Sequence, residues 1–145
     1  MTMTADELIA ALDLQPHPEG GHFKEIFRDV TPISNDRTAS TAIYYLLKEG
    51  ESSHWHRIDA AEVWHHYAGA PLQLDICETP PAQEILRLGK DIQAGEQPVG
   101  VVPPGAWQAA KPLGAWSLVG CTVAPSFDFA QFEMAPPGWT PTSDT

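Results

Sequence analysis

The chain has 145 residues and a formal charge of −11, from 8 Lys plus Arg against 19 Asp plus Glu. So acidic a surface repels phosphate backbones and anionic lipid headgroups, which argues against nucleic-acid binding and against docking on membranes. At 43% hydrophobic and 19% charged residues the chain is too apolar for a disordered acidic tail, and 14 Pro and 11 Gly would break up long helices. The composition points to one all-β domain spanning residues 1–145 with many turns.

In chain order, Thr4-Ala5-Asp6-Glu7 reads as a capping box, which predicts a short helix through about Leu12 within an N-terminal segment of residues 1–15. No basic start and no apolar run of signal-peptide type precedes it, so a cytoplasmic location is expected. From His22 to Arg28 the residues alternate, which places Phe23, Glu25 and Phe27 on one face of a strand and suggests that Phe23 and Phe27 line the same interior. Further strands are predicted at Thr38–Lys48, Glu62–Tyr67, Leu72–Ile76, Glu84–Leu88, Val99–Val102, Trp116–Val123 and Phe127–Met134. A tail from Pro136 to Thr145, rich in Pro and Thr, is expected to be loosely ordered. Cys77 and Cys121 lie in apolar, strand-like settings and read as two reduced, buried thiols.

The densest chemistry lies between Gly50 and Gly69, where His54, His56, His65 and His66 fall together with Asp59 and Glu62. Residues two apart on a strand share a face. His54 and His56 should therefore project the same way, and Glu62 follows after a turn. Two imidazoles and a carboxylate on adjacent strands can form a facial triad for Fe, Mn, Ni or Zn. His65 and His66 must face opposite ways in a regular strand, and each alone reads as a satisfied structural histidine. A second stretch, Val102-Pro103-Pro104-Gly105-Ala106-Trp107-Gln108, makes a tight turn whose following residues can point back into a barrel mouth.

Together these stretches resemble the two motifs of the cupin superfamily. Glu62 and Gly69 have the spacing of the first motif, while five residues rather than three or four separate His56 from Glu62. In the second motif Pro103 and Gly105 are followed by Gln108, where a ligand histidine usually stands. The segments His17–Asp29, Trp55–Leu72, Val102–Pro112 and Leu118–Ala135 resemble one branch in particular, the fifth cupin family, a domain of unknown function. The resemblance spans about residues 5 to 136. It implies an all-β cupin jelly roll, or double-stranded β-helix, with a short N-terminal helix, an open pocket for a small-molecule ligand, and a homodimer.

Three functions compete on this reading. In a metal-dependent enzyme, His54, His56 and Glu62 would hold a divalent ion, with Gln108 as a weak fourth ligand. In a metal-free isomerase or epimerase, His56 would move a proton next to a carbonyl, with Glu62 or Asp59 orienting it. In a binding module, aromatic residues of the pocket would stack on a sugar or another flat ligand. His56 and Glu62 are the candidate catalytic pair under the first two. Trp64, Trp107, Gln108, Arg57 and Tyr67 are the candidate substrate contacts.

Overall fold

The computed structural model describes residues 3–142. Helix α1 (Ala5–Leu12) starts on the predicted capping box: the Glu7 N–H donates to Thr4 Oγ1 at 3.1 Å, and the Thr4 N–H donates to Glu7 Oε1 at 2.8 Å. Its apolar side, with Leu8, Ile9 and Leu12, covers Leu14, Leu46, Trp116 and Leu118 on the outside of a sheet.

Among the described residues thirteen strands follow: β1 (Gln15–Pro16), β2 (His22–Arg28), β3 (Pro32–Ser34), β4 (Arg37–Thr38), β5 (Thr41–Lys48), β6 (Ser53–Arg57), β7 (Ala61–Gly69), β8 (Leu72–Cys77), β9 (Glu84–Leu88), β10 (Val99–Val102), β11 (Trp107–Pro112), β12 (Trp116–Ala124) and β13 (Glu133–Met134). Six form one antiparallel sheet in the order β1-β2-β5-β12-β7-β10, and five form a second in the order β13-β6-β11-β8-β9. β3 and β4 make a separate hairpin. Two antiparallel sheets with non-sequential neighbours, closed over one interior, make the expected jelly roll. Among the described residues no helix is long and apolar enough to cross a membrane.

Between the sheets, one half of the interior is solid. Tyr45, Leu47, Trp64, Leu72, Leu74 and Val119 lie there at 0% exposure. Burying each large apolar side chain stabilises the fold by roughly 1.5–3 kcal/mol. The other half stays open as a cavity of about 330 Å³.

The structure corrects two expectations. Phe127–Met134 is not one strand: a 3-10 turn at Phe129–Gln131, capped by Asp128, precedes the two-residue β13. In the tail, Trp139 packs against Trp55 and Trp107, residues 136–138 are exposed, and residues 143–145 lie outside the described part. Phe27 does not share the interior with Phe23. A bulge in β2 sets Glu25 opposite Ile43 but Phe27 opposite Ala42, which turns Phe27 outward to 53% exposure. Cys77 and Cys121 are free and buried, as expected.

Candidate active site

The cavity is walled by the inner faces of β2, β5, β7 and β12 on one side and by His56 of β6 on the other. Phe23, Ile43, Val123, Phe127 and Phe129 make most of it apolar, and His17, Glu19, Glu62 and Cys121 supply polar atoms. A small number of polar groups in an apolar concavity of this size is the usual form of a small-molecule site.

Glu19 reaches the cavity through a tight turn. The Gly20 N–H donates to the His17 carbonyl at 3.0 Å, and the His17 N–H donates to the Gly21 carbonyl at 2.9 Å. Gly20 and Gly21 sit at φ 111° and 78°. A Cβ on Gly20 would lie 2.0 Å from the Ser52 carbonyl oxygen, so only glycine lets the turn press this closely on the chain entering β6. The His54 N–H donates to the Glu19 carbonyl at 2.9 Å and clips the turn to β6.

That clip brings Glu19 Oε2 to 3.1 Å from His56 Nε2. The other ring nitrogen of His56, Nδ1, lies 2.7 Å from the His54 carbonyl oxygen and donates to it, which leaves Nε2 to accept from a protonated Glu19. Burial governs both groups. It pushes Glu19 up to about 8, against the hydroxyls of Tyr45 and Ser53, which pull the other way. Burial also lowers the His56 imidazole, with Glu62 opposing it. At neutral pH the pair is therefore a carboxylic acid bonded to a neutral imidazole, and one proton lies between them. Phe132 stacks on the His56 ring, with centroids 5.4 Å apart, and fixes its plane. His17 is held low, at about 4, first by burial and then by His56. Its Nδ1 accepts the Glu19 N–H at 3.1 Å.

Glu62 stands on β7 within a chain of bonds. The Trp64 indole N–H donates to Gln108 Oε1 at 2.8 Å, which turns the Gln108 amide so that its Nε2 donates to Glu62 Oε1 at 2.9 Å. The Cys121 thiol also favours the charged form of the same carboxyl. Burial raises Glu62 to about 7, and the His56, Gln108 and Cys121 interactions limit the rise. Two carboxyls with shifted acidities thus face one cavity, the arrangement that separates an acid from a base.

Of the residues singled out from the sequence, His56 and Glu62 line the cavity. Gln108 and Trp64 are fully buried behind Glu62 and outside the lining, so they hold the carboxyl rather than face a ligand. His54 departs from strand parity. Gln108 pairs with His56 and Ala110 with Ser53, so β6 spends three steps where β11 spends two. This bulge breaks the alternation: Ser53 and His56 face inward, and His54 Nε2 lies 3.2 and 3.1 Å from the Ala135 and Pro136 carbonyl oxygens. Trp107 packs outside, against Trp139, and Arg57 lies over its ring at 4.4 Å while bonding Glu133 at 2.8 Å. Tyr67 is 44% exposed and stacks beside His65. His65 reaches Thr122 Oγ1, and His66 reaches the Ala70 carbonyl, so both histidines are structural. Asp59 is engaged by Arg37 through two bonds of 2.9 Å, outside the cavity lining.

The four residues expected to hold a metal do not converge. His54 is turned to the tail, and the Gln108 oxygen is occupied by Trp64. Among the described residues no three His, Cys, Asp or Glu side chains are grouped as a metal site. This donor set does not fit a bound ion in the arrangement seen.

Sequence reasoning missed Glu19 and His17 as site residues. The signal available was the Glu19-Gly20-Gly21 turn: two successive glycines mark a close backbone approach, and the residue beside them is delivered by it.

A family model described as Cupin superfamily (DUF985) matches residues 6–135. A solved hypothetical protein from Leishmania major is 32% identical, with a TM-score of 0.86 over 92% of this chain and 88% of that one. A solved protein from Shewanella oneidensis is 36% identical, with a TM-score of 0.89 over 92% and 85%. Oxalate decarboxylase from Bacillus subtilis, at 17% identity and a TM-score of 0.65 over 85% of this chain and 30% of its own, shares the fold. No curated protein matches the sequence. The chain belongs to the cupin superfamily, in the family described as DUF985.

Proposed function

We propose that this cupin is an acid–base enzyme that moves a proton next to the carbonyl group of a small polar, sugar-like substrate, without a metal. The observation that carries the reading is the 3.1 Å contact between Glu19 and His56 in a cavity that Glu62 also lines. As carboxylate, Glu62 removes a proton from the carbon beside the carbonyl. The proton held between Glu19 and His56 passes to the carbonyl oxygen, which gives a neutral enediol. Return of a proton to the neighbouring carbon, with loss of the hydroxyl proton to the Glu19–His56 pair, gives the isomer. No electron acceptor is needed. The apolar walls keep water from the enediol and strengthen each hydrogen bond within. General acid–base groups of this kind contribute about 10²–10⁴-fold each.

The test is incubation of the full chain in D₂O with a panel of aldoses and ketoses, followed by proton NMR. Deuterium should enter at the carbon beside the carbonyl of at least one compound, and His56→Ala and Glu62→Gln should each lower the exchange by about 10²–10⁴-fold. Saturable binding without exchange would instead make the protein a non-catalytic binder of the same ligands.

A further inference from the structure

At the cavity mouth the charges are arranged differently from those inside. Phe23, Glu25 and Arg28 of β2 all line the cavity. In an unbroken strand residues 25 and 28 would project to opposite faces. The bulge at Ile26 restores Arg28 to the face of Glu25. There the guanidinium is bound three times: Nη2 donates to Glu25 Oε1 at 2.7 Å and to the Phe127 carbonyl at 3.0 Å, and Nε donates to Glu25 Oε2 at 3.2 Å. Among the described residues, Arg28 is the one Lys or Arg side chain that lines the cavity, while Glu19, Glu25, Glu62 and Asp128 contribute four carboxyl groups. A phosphate or carboxylate entering here meets the carboxyls of Glu25, Glu62 and Asp128, while Glu19, protonated against His56, adds no repulsion. The one fork that could receive it bidentately is already filled by Glu25.

We infer that the cavity selects ligands without net negative charge, and that Glu25 sets this selectivity by holding Arg28 in a closed ion pair. The inference about charge stands on the lining alone; that the ligand is an uncharged carbonyl compound, such as an unphosphorylated sugar, rests on the proposed function. The Arg28 and Glu25 side chains are 45% and 39% exposed, so their pair adds little to stability, and Glu25→Gln should fold. Its effect falls on which ligand can engage the guanidinium.

The experiment is calorimetric titration of the full chain at pH 7.5 and fixed ionic strength with ribose, ribose 5-phosphate and inorganic phosphate, for the wild type, Glu25→Gln and Glu25→Asp. The wild type should bind ribose at least about tenfold more tightly than ribose 5-phosphate and give no saturable signal with phosphate. Glu25→Gln should shrink the preference by about tenfold or more and acquire phosphate binding, and Glu25→Asp should behave as the wild type. Preference of the wild type for the phosphorylated sugar, or no gain of anion binding in Glu25→Gln, overturns the inference. If neither sugar binds any form, the carbonyl-substrate reading falters, and the phosphate titrations still decide the charge selectivity: gain in Glu25→Gln supports it, and no gain overturns it.

Discussion

On the inner face of β6 and β11, His56 pairs with Glu19, and Gln108 joins Trp64 to Glu62, at the same cavity. On the outer face of the same strands, Trp55 and Trp107 pack around Trp139, with Arg57 laid over Trp107. The two faces are built from residues adjacent in sequence and consist of the same residue types a pocket would use. The difference lies in what surrounds them. Inside, burial removes water from carboxyl groups and shifts their acidity. Outside, Arg57 keeps solvent contact and its pairing with Glu133 leaves it inert. Aromatic and cationic side chains close to a histidine motif are therefore not evidence of a binding site until their face is known.

The sharpest way to break this comparison is to disable each face in turn. Inside, His56→Ala should lower deuterium exchange by about 10²–10⁴-fold, read by NMR, with far-UV circular dichroism showing the sheets retained. Outside, Trp107→Ala should cost about 3 kcal/mol of stability in urea unfolding, because a ring packed 4.7 Å from Trp139 is lost, while exchange per folded molecule is unchanged. If Trp107→Ala abolished exchange in folded protein, the separation of the faces would be wrong.

The inner face should also give stability a distinctive dependence on pH. Glu19 and Glu62 have folded values of about 8 and about 7, above the ordinary 4.5, so the folded state holds more protons and their contribution is lost as pH rises. His17, lowered to about 4 from 6.5, works the other way, and its contribution is complete above pH 6.5. Between pH 6.5 and 8 the carboxyl groups act alone, and stability should fall by on the order of 2 kcal/mol. Denaturant midpoints across this range should show the slope in the wild type and a flatter one in Glu19→Gln. The smallest expected effect belongs to the outer face: Arg57→Gln should change stability by less than about 1 kcal/mol, as expected of an exposed ion pair and cation–π contact.

Much of the fold was legible in the sequence because its signals are local. The Thr4–Glu7 capping box, the alternation at Leu72–Ile76 and the Pro/Gly turns each act over a few residues. The site was legible only in part. His56 and Glu62 stood out by residue type and spacing. Two bulges, at Ile26 and within Ser53–His56, each reversed the parity used to assign faces, and a bulge is set by pairing with a partner strand rather than by its own residues. The partner of His56 was hidden for a different reason. Glu19 arrives from a turn distant in the chain, and the contact exists only once Gly20 and Gly21 let that turn close on Ser52.

The most direct test of the account is carbon-13 NMR of the glutamate side-chain carboxyls, titrated from pH 4 to 9 in the wild type and Glu19→Gln. One carboxyl should titrate with a midpoint near 8 and be missing in Glu19→Gln. Titration of every glutamate near the ordinary value of 4.5 would contradict it, because the proton between Glu19 and His56 would then be absent at neutral pH.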